Sequence, residues 1–190
     1  MRKGHLFVIS APSGAGKSTV LDCVRRRIGN LEFSVSCTTR PIRAGESEGV
    51  HYRFVDESVF RAMIDRGEFL EWAEVHGELY GTPRLPIEGA IAAGRDVLLD
   101  IDVQGGMAIK RSFPEAVTVF LLPPSMGELK SRLGGRATDS PEQIRVRLAN
   151  AEREMGFAER YDRRVVNDEV ERACGELCAL IEASRKAKRG

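Results

Sequence analysis

An ammonium at Lys17 and a hydroxyl at Ser18 close a run of small residues, Ala11, Pro12, Ser13, Gly14, Ala15 and Gly16, with Thr19 directly behind them. Small residues let backbone N–H groups converge on an oxyanion, and a helix starting at the same point adds favourable partial positive charge. Lys17 is then placed to reach the β- and γ-phosphates of a nucleoside triphosphate, and Ser18 to give its hydroxyl to Mg²⁺. The strict phosphate-loop pattern opens on glycine where this chain has Ala11, an exchange that is tolerated if the backbone there avoids positive φ. Such a loop names a triphosphate donor and leaves the acceptor open.

A second group of polar residues addresses the acceptor. Arg40 and Arg43 stand three apart in the segment Ser36 to Glu46, where Pro41 and Gly45 prevent a continuous helix. Two guanidinium forks so placed form a clamp for a phosphomonoester. Tyr52, Glu71, Tyr80 and Thr82 follow in order. Asp100 and Asp102 end the apolar run Val97, Leu98, Leu99 and, two apart on a strand, share a face. At the carboxyl end of a parallel strand, Asp100 could support Mg²⁺ through water and Asp102 could meet the acceptor; a capping role for one of them is the competing reading, weighed for Asp100.

The ordered set Ser-x-Thr-Thr-Arg-x-x-Arg-x-Gly-Glu from Ser36, Phe-x-Glu-Trp-Ala around Glu71, Tyr-Gly-Thr from Tyr80 and Leu-Asp-Ile-Asp-x-Gln-Gly around Asp100 resembles the guanylate kinase family. The resemblance runs from the phosphate loop through Asn167 and Asp168. It implies transfer of a phosphoryl group from Mg·ATP to GMP, with dGMP as a further acceptor. It also implies a GMP site in which Arg40, Arg43, Tyr52 and Tyr80 hold the monophosphate while Ser36, Glu71, Thr82 and Asp102 face the base. Chemistry supports Glu71 independently. Guanine offers adjacent donors at N1 and the 2-amino group to one carboxylate, whereas adenine presents an acceptor at N1. Arg136, in a Gly-Gly-Arg-Ala-Thr connection, and Arg147 on the helix that follows are implied lid arginines that meet the ATP phosphates.

The elements must bring these groups together. Leu6 to Ile9 reads as a buried strand, Ser18 to Ile28 as a helix, and Val97 to Ile101 and Val117 to Leu122 as further strands, with Val165 and Val166 opening a last one. Alternation of strands and helices predicts an α/β protein with a parallel sheet covered by helices, here a core of the P-loop nucleoside triphosphate hydrolase type. A helix from Glu57 to Arg66 has Asp56 as its expected N-cap and Gly67 as its stop. Ser125 followed by Glu128, and Ser140 followed by Pro141 and Gln143, mark two more helix starts. The chain reads as one domain, 1–190. Its core covers about 1–32, 94–124 and 161–190, an inserted mixed β lobe for GMP about 33–93, and a helical lid about 125–160.

Composition bounds the rest. With 190 residues, 30% of them charged and a net charge of +1, the chain can bury a core and carries no global basic field for nucleic acid. The basic tail from Ser184 to Arg189 is expected to complement a helix end or to fray. No run approaches a membrane span and no signal-peptide pattern precedes Leu6, so a cytoplasmic protein without membrane or nucleic-acid partners is expected. Self-association into a homo-oligomer is left open. The four cysteines make no disulfide scaffold, and Cys174 and Cys178 read as buried apolar thiols without zinc because no histidine accompanies them. His5, His51 and His76 receive no role. The alternative function is a catalytically weak interaction module of the same fold, against which Lys17, Ser18, Arg136 and Arg147 all count.

Overall fold

A computed structural model describes residues 3–75, 77–134 and 141–187. The chain opens with β1 (Leu6–Ser10), α1 (Lys17–Arg27) and β2 (Leu31–Phe33). An insertion follows, made of β3 (Ser36–Thr38), β4 (Tyr52–Phe54), α2 (Glu57–Asp65), β5 (Phe69–Val75) and β6 (Glu78–Pro83). Next come α3 (Arg84–Ala92), β7 (Asp96–Asp100), α4 (Val103–Ser112) and β8 (Val117–Leu122). The helical pair α5 (Met126–Gly134) and α6 (Pro141–Met155) precedes β9 (Arg163–Val166) and α7 (Val170–Ala187).

β1 is buried at all five positions because both faces of its sheet are covered. Phe7 and Ile9 point toward α1 and α7, packing with Val20, Val24, Leu177 and Ile181. Leu6 and Val8 point the other way, toward Ile87 and Ala90 of α3 and Ile109 of α4. The five core strands lie in the order β2-β7-β1-β8-β9, every pairing parallel. The loops after β1 and β7 therefore emerge at one edge, where open α/β sheets bind ligands.

The insertion forms its own four-stranded mixed sheet, β4-β3-β6-β5, with β3 and β4 parallel and the other pairs antiparallel. A small core of Cys37, Phe60, Met63, Phe69 and Leu79 backs it, with Phe60 and Phe69 stacked 4.5 Å apart. A Cβ at Gly81 would lie 2.8–2.9 Å from these two rings, so glycine is what lets them close over β6. Ser125 caps α5 by accepting from the Glu128 N–H at 3.0 Å, and Leu129 and Leu133 pack on Ala151 of α6.

Three expectations change. Cys174 is not a thiol but is disulfide-bonded to Cys23, joining α1 to α7; the partners lie 151 residues apart, and only the fold brings these helices together. Asp56 occupies the N-cap position of α2 with extended backbone, yet its side chain accepts no hydrogen bond there. Arg185 neither frays nor merely complements its helix end: it pairs with the buried Asp96 at 2.7 Å. Arg136, His76 and the Ser140 cap lie outside the described residues. Among the described residues no helix is long and apolar enough to cross a membrane.

Candidate active site

The phosphate loop leaves β1 at Ser10 and turns into α1 at Lys17. Gly14 and Gly16 adopt φ of 87° and 85°, where side chains are disfavoured, while Ala11 is not among the residues with positive φ. This is the condition under which alanine replaces glycine at the head of the loop. Neighbours enforce the tightness: a Cβ at Gly14 would stand 2.8 Å from Leu133, and one at Gly16 would stand 2.5 Å from the Asn167 amide nitrogen. Lys17 Nζ donates to the Ile101 carbonyl at 2.9 Å and pairs with Asp100 Oδ1 at 2.6 Å. The end of β7 thus holds the lysine beside the loop.

A cleft of about 530 Å³ opens over this edge. Ala11 through Thr19 line one side, and Ser36, Tyr52, Glu71, Tyr80, Asp100 and Asp102 line the other. Glu71 is 8% exposed, and the Thr82 hydroxyl donates to its Oε1. Burial pushes the Glu71 carboxyl up to about 7, Asp102 adds to the rise, and the Thr82 hydrogen bond opposes it. Asp102 has left the strand and caps α4, its Oδ1 accepting from the N–H groups of Gln104 at 2.7 Å and Gly105 at 3.0 Å. The capping role weighed for Asp100 therefore falls to Asp102, while Asp100 faces Lys17; both still line the cleft.

Arg40 lies nearly buried beneath this wall. Its guanidinium donates to Glu46 Oε1 and to the Pro41 carbonyl, both at 2.7 Å, and sits 5.5 Å from the centre of the Tyr52 ring. Tyr80 meets Tyr52 edge-on at 6.0 Å. The Glu46 carboxylate, against the cost of burial and with help from Tyr80, raises the Arg40 pKa, and Arg40 in turn lowers that of Glu46. Arg43 is exposed and its backbone N–H bonds Glu46 Oε2 at 2.8 Å; Arg40, Arg43 and Thr82 all stand behind the residues that line the cleft. Arg147 reaches from α6 to the phosphate loop, donating to Ser13 Oγ at 3.0 Å.

Matched against models of known families, residues 3–184 fit the one described as guanylate kinase. The chain belongs to the guanylate kinase family. The guanylate kinase of Dechloromonas aromatica is 50% identical over 181 residues, which span 95% of this chain and 90% of that protein. A guanylate kinase of Thermus thermophilus is 50% identical over 184 residues, 97% of this chain and 83% of its own length. The crystal structure of guanylate kinase from Anaplasma phagocytophilum matches with a TM-score of 0.80 at 34% identity, covering 96% of this chain and 87% of that one. The family and the P-loop α/β fold expected from the motifs both hold.

Around this guanylate kinase cleft stand three residues to which the sequence assigned no role, Glu46, Asn167 and Glu154, and a fourth, Arg132, which it placed only near the adenine. Glu46 grips Arg40, and its place at the end of the Arg-x-x-Arg-x-Gly-Glu motif is the signal that could have found it. Asn167 donates to the Ala15 carbonyl at 2.7 Å, and Arg132 reaches the Ala15 and Asn167 carbonyls at 3.3–3.5 Å, so α5 and the end of β9 brace the loop from behind. Glu154 Oε2 accepts from the Ser13 N–H at 3.2 Å. Glu154 had no local signal, because it acts on a loop more than 100 residues away.

Proposed function

We propose that this chain transfers the γ-phosphoryl group of Mg·ATP to GMP, and to dGMP, giving ADP and the corresponding diphosphate. The observation that carries the reading is the buried carboxylate of Glu71, oriented by Thr82, in the same cleft as a phosphate loop. A carboxylate so deprived of water is stable only opposite donors, and the N1–H and 2-amino group of guanine supply two. Arg40, fixed by Glu46, and the hydroxyls of Tyr52 and Tyr80 would hold the monophosphate, with Arg43 joining from its loop.

Little covalent chemistry falls to the protein, whose part is positioning and charge stabilisation. A GMP phosphate oxygen attacks the γ-phosphorus as the bond to the β–γ bridging oxygen breaks, and that oxygen leaves as part of ADP. Lys17 and the loop N–H groups neutralise charge on the transferring group, and Arg147, with Arg136, adds positive charge from the lid. Ser18 and Asp100 offer the hard oxygen donors that suit Mg²⁺, which would reach the site on the ATP phosphates and neutralise charge between them. Asp100 already contacts Lys17, so the same carboxylate would serve ammonium and hydrated metal. In this division of labour residues 33–93 carry GMP and 125–160 form the lid. ATP and GMP as substrates support a cytoplasmic setting for this reading, and both cysteines of the Cys23–Cys174 bond are buried.

ADP release measured against a panel of nucleoside monophosphates tests the reading. GMP is expected to exceed AMP, CMP and UMP in kcat/KM by up to about 10⁴-fold, since a site built to pair polar groups rejects ligands that leave them unpaired. Equal turnover of AMP and GMP would overturn it, and no turnover of any monophosphate would return the chain to the interaction-module alternative.

A further inference from the structure

Two consecutive glycines, Gly105 and Gly106, sit in the first turns of α4, where glycine weakens a helix relative to alanine. The nearest atoms around both are side-chain atoms, a tyrosine and a serine hydroxyl at Gly106 and a carboxylate at Gly105. A Cβ at Gly106 would run into the Tyr161 hydroxyl and stand 2.8 Å from Ser10 Oγ, two groups at the packing of α4 on the sheet. A Cβ at Gly105 would stand 2.8 Å from Glu71 Oε2 and 3.1 Å from Glu71 Cδ, with Ile101 next at an ordinary 3.4 Å. The obstructed group there is the tip of one flexible side chain, and no backbone lies in the way.

We propose that Gly105 is a specificity-determining positioning residue, whose missing side chain seats the Glu71 carboxylate in the orientation that reads the guanine 2-amino group. The proposal rests on the assignment of GMP as acceptor. Glu71 is held from two sides: the Thr82 hydroxyl fixes Oε1 from β6, and the bare Cα of Gly105 sets how far Oε2 extends toward α4. Gly105 also fixes the second carboxylate of this wall, because its N–H donates to Asp102 Oδ1 at 3.0 Å. One residue therefore positions both acids at the base end of the cleft, and the desolvation that raises the Glu71 pKa makes a misplaced carboxylate costly there.

A methyl at position 105 would drive Oε2 back by roughly 0.6 Å, the gap between its present approach and ordinary contact. That displacement breaks a two-point match to adjacent donors while leaving the fold nearly unchanged. The test compares GMP with IMP, which keeps N1–H and lacks the 2-amino group. The parent is expected to favour GMP over IMP by about 10- to 100-fold, the effect of one hydrogen bond to a charged acceptor. Gly105→Ala is expected to remove at least tenfold of that ratio, chiefly by lowering kcat/KM for GMP, with KM for ATP unchanged. Gly89→Ala, a helical position whose Cβ would meet open space, is the control and should keep the parental ratio.

A Gly105→Ala variant that folds and keeps the parental GMP:IMP ratio overturns the proposal while leaving the GMP assignment intact. A parent that does not prefer GMP to AMP overturns that assignment instead. If Gly105→Ala fails to fold, adding Glu71→Asp withdraws the carboxylate from the methyl. Recovery of the fold supports the contact as the cause, and a double variant that stays unfolded overturns the proposal.

Discussion

Glu71 carries opposite demands, because the burial that makes it selective also opposes its ionisation. Its ordinary value of 4.5 rises to about 7, chiefly through desolvation. Between these values the folded protein holds a proton that the unfolded chain has released, so stability falls as pH rises through that window and the full cost is present above about 7. Glu71→Gln should therefore be more stable than the parent at pH 8, by up to about 3 kcal/mol, and the difference should vanish near pH 4.5. Denaturant midpoints of both proteins at pH 5 and 8 check this, and an equal difference at both would contradict it. Activity shows the reverse sign. Only the ionised carboxylate accepts both guanine donors, so kcat/KM for GMP should fall as pH drops below about 7. The GMP phosphate titrates near 6 as well, and the two limbs are separated by Glu71→Gln, which keeps the phosphate limb and loses the other.

At the scale of elements, α6 meets the phosphate loop with two side chains from one face. Arg147 and Glu154 are seven residues apart, close to two helical turns, and both contact Ser13, one at its hydroxyl and the other at its N–H. A helix docked in this way can deliver a guanidinium to the γ-phosphate when ATP fills the loop, and contacts realised mainly in the transition state show in kcat. Arg147→Ala is expected to lower kcat about 10- to 100-fold with smaller changes in either KM, as removal of a charged stabilising group does. Arg153→Ala, whose side chain donates to the Ala149 carbonyl of its own helix, should behave as the parent; a full parental kcat in Arg147→Ala would remove α6 from the mechanism. Arg132 is unsuitable as a silent control because it braces Ala15 and Asn167. The core strands were legible in the sequence because burial on both faces leaves continuous apolar runs, and the loop and acceptor motifs because their chemistry demands fixed residue types. The cap at Asp102 and the Cys23–Cys174 bond were not, since each depends on which of several similar groups the backbone brings within 3 Å.

Across the whole molecule, catalysis and stability occupy opposite ends of the same sheet. Asp100 ends β7 at the cleft, while Asp96 begins it four residues away, about 13 Å along an extended strand. Asp96 is 4% exposed and gathers the chain's two ends: His5 donates its backbone N–H at 2.8 Å, and Arg185 of α7 pairs with Oδ2 at 2.7 Å. Arg185 also donates to the Gly29 and Asn30 carbonyls at 3.0–3.1 Å, fastening α7 to the turn after α1, and the Cys23–Cys174 bond fastens the same two helices higher up. Burial alone would raise the Asp96 pKa, but the hydrogen bonds from His5 and Arg185 outweigh it and hold the carboxyl below its ordinary 3.8. A depressed carboxylate contributes stability above its unfolded value, and that contribution is lost as pH falls through the folded one. Asp96→Ala leaves the buried His5 N–H and a guanidinium without this acceptor and should cost about 2–4 kcal/mol at pH 7. The gap to the parent should begin to narrow as pH falls below the ordinary 3.8 and close as it passes the lower value of the folded carboxyl. With the cleft at the far end of β7, KM for ATP and GMP and kcat should stay parental at temperatures where the variant is folded. Urea unfolding at pH 7 and in acid, beside steady-state kinetics at 25 °C, measures both halves: equal stability would deny Asp96 its anchoring role, and altered kinetics in the folded variant would deny the separation of the two ends.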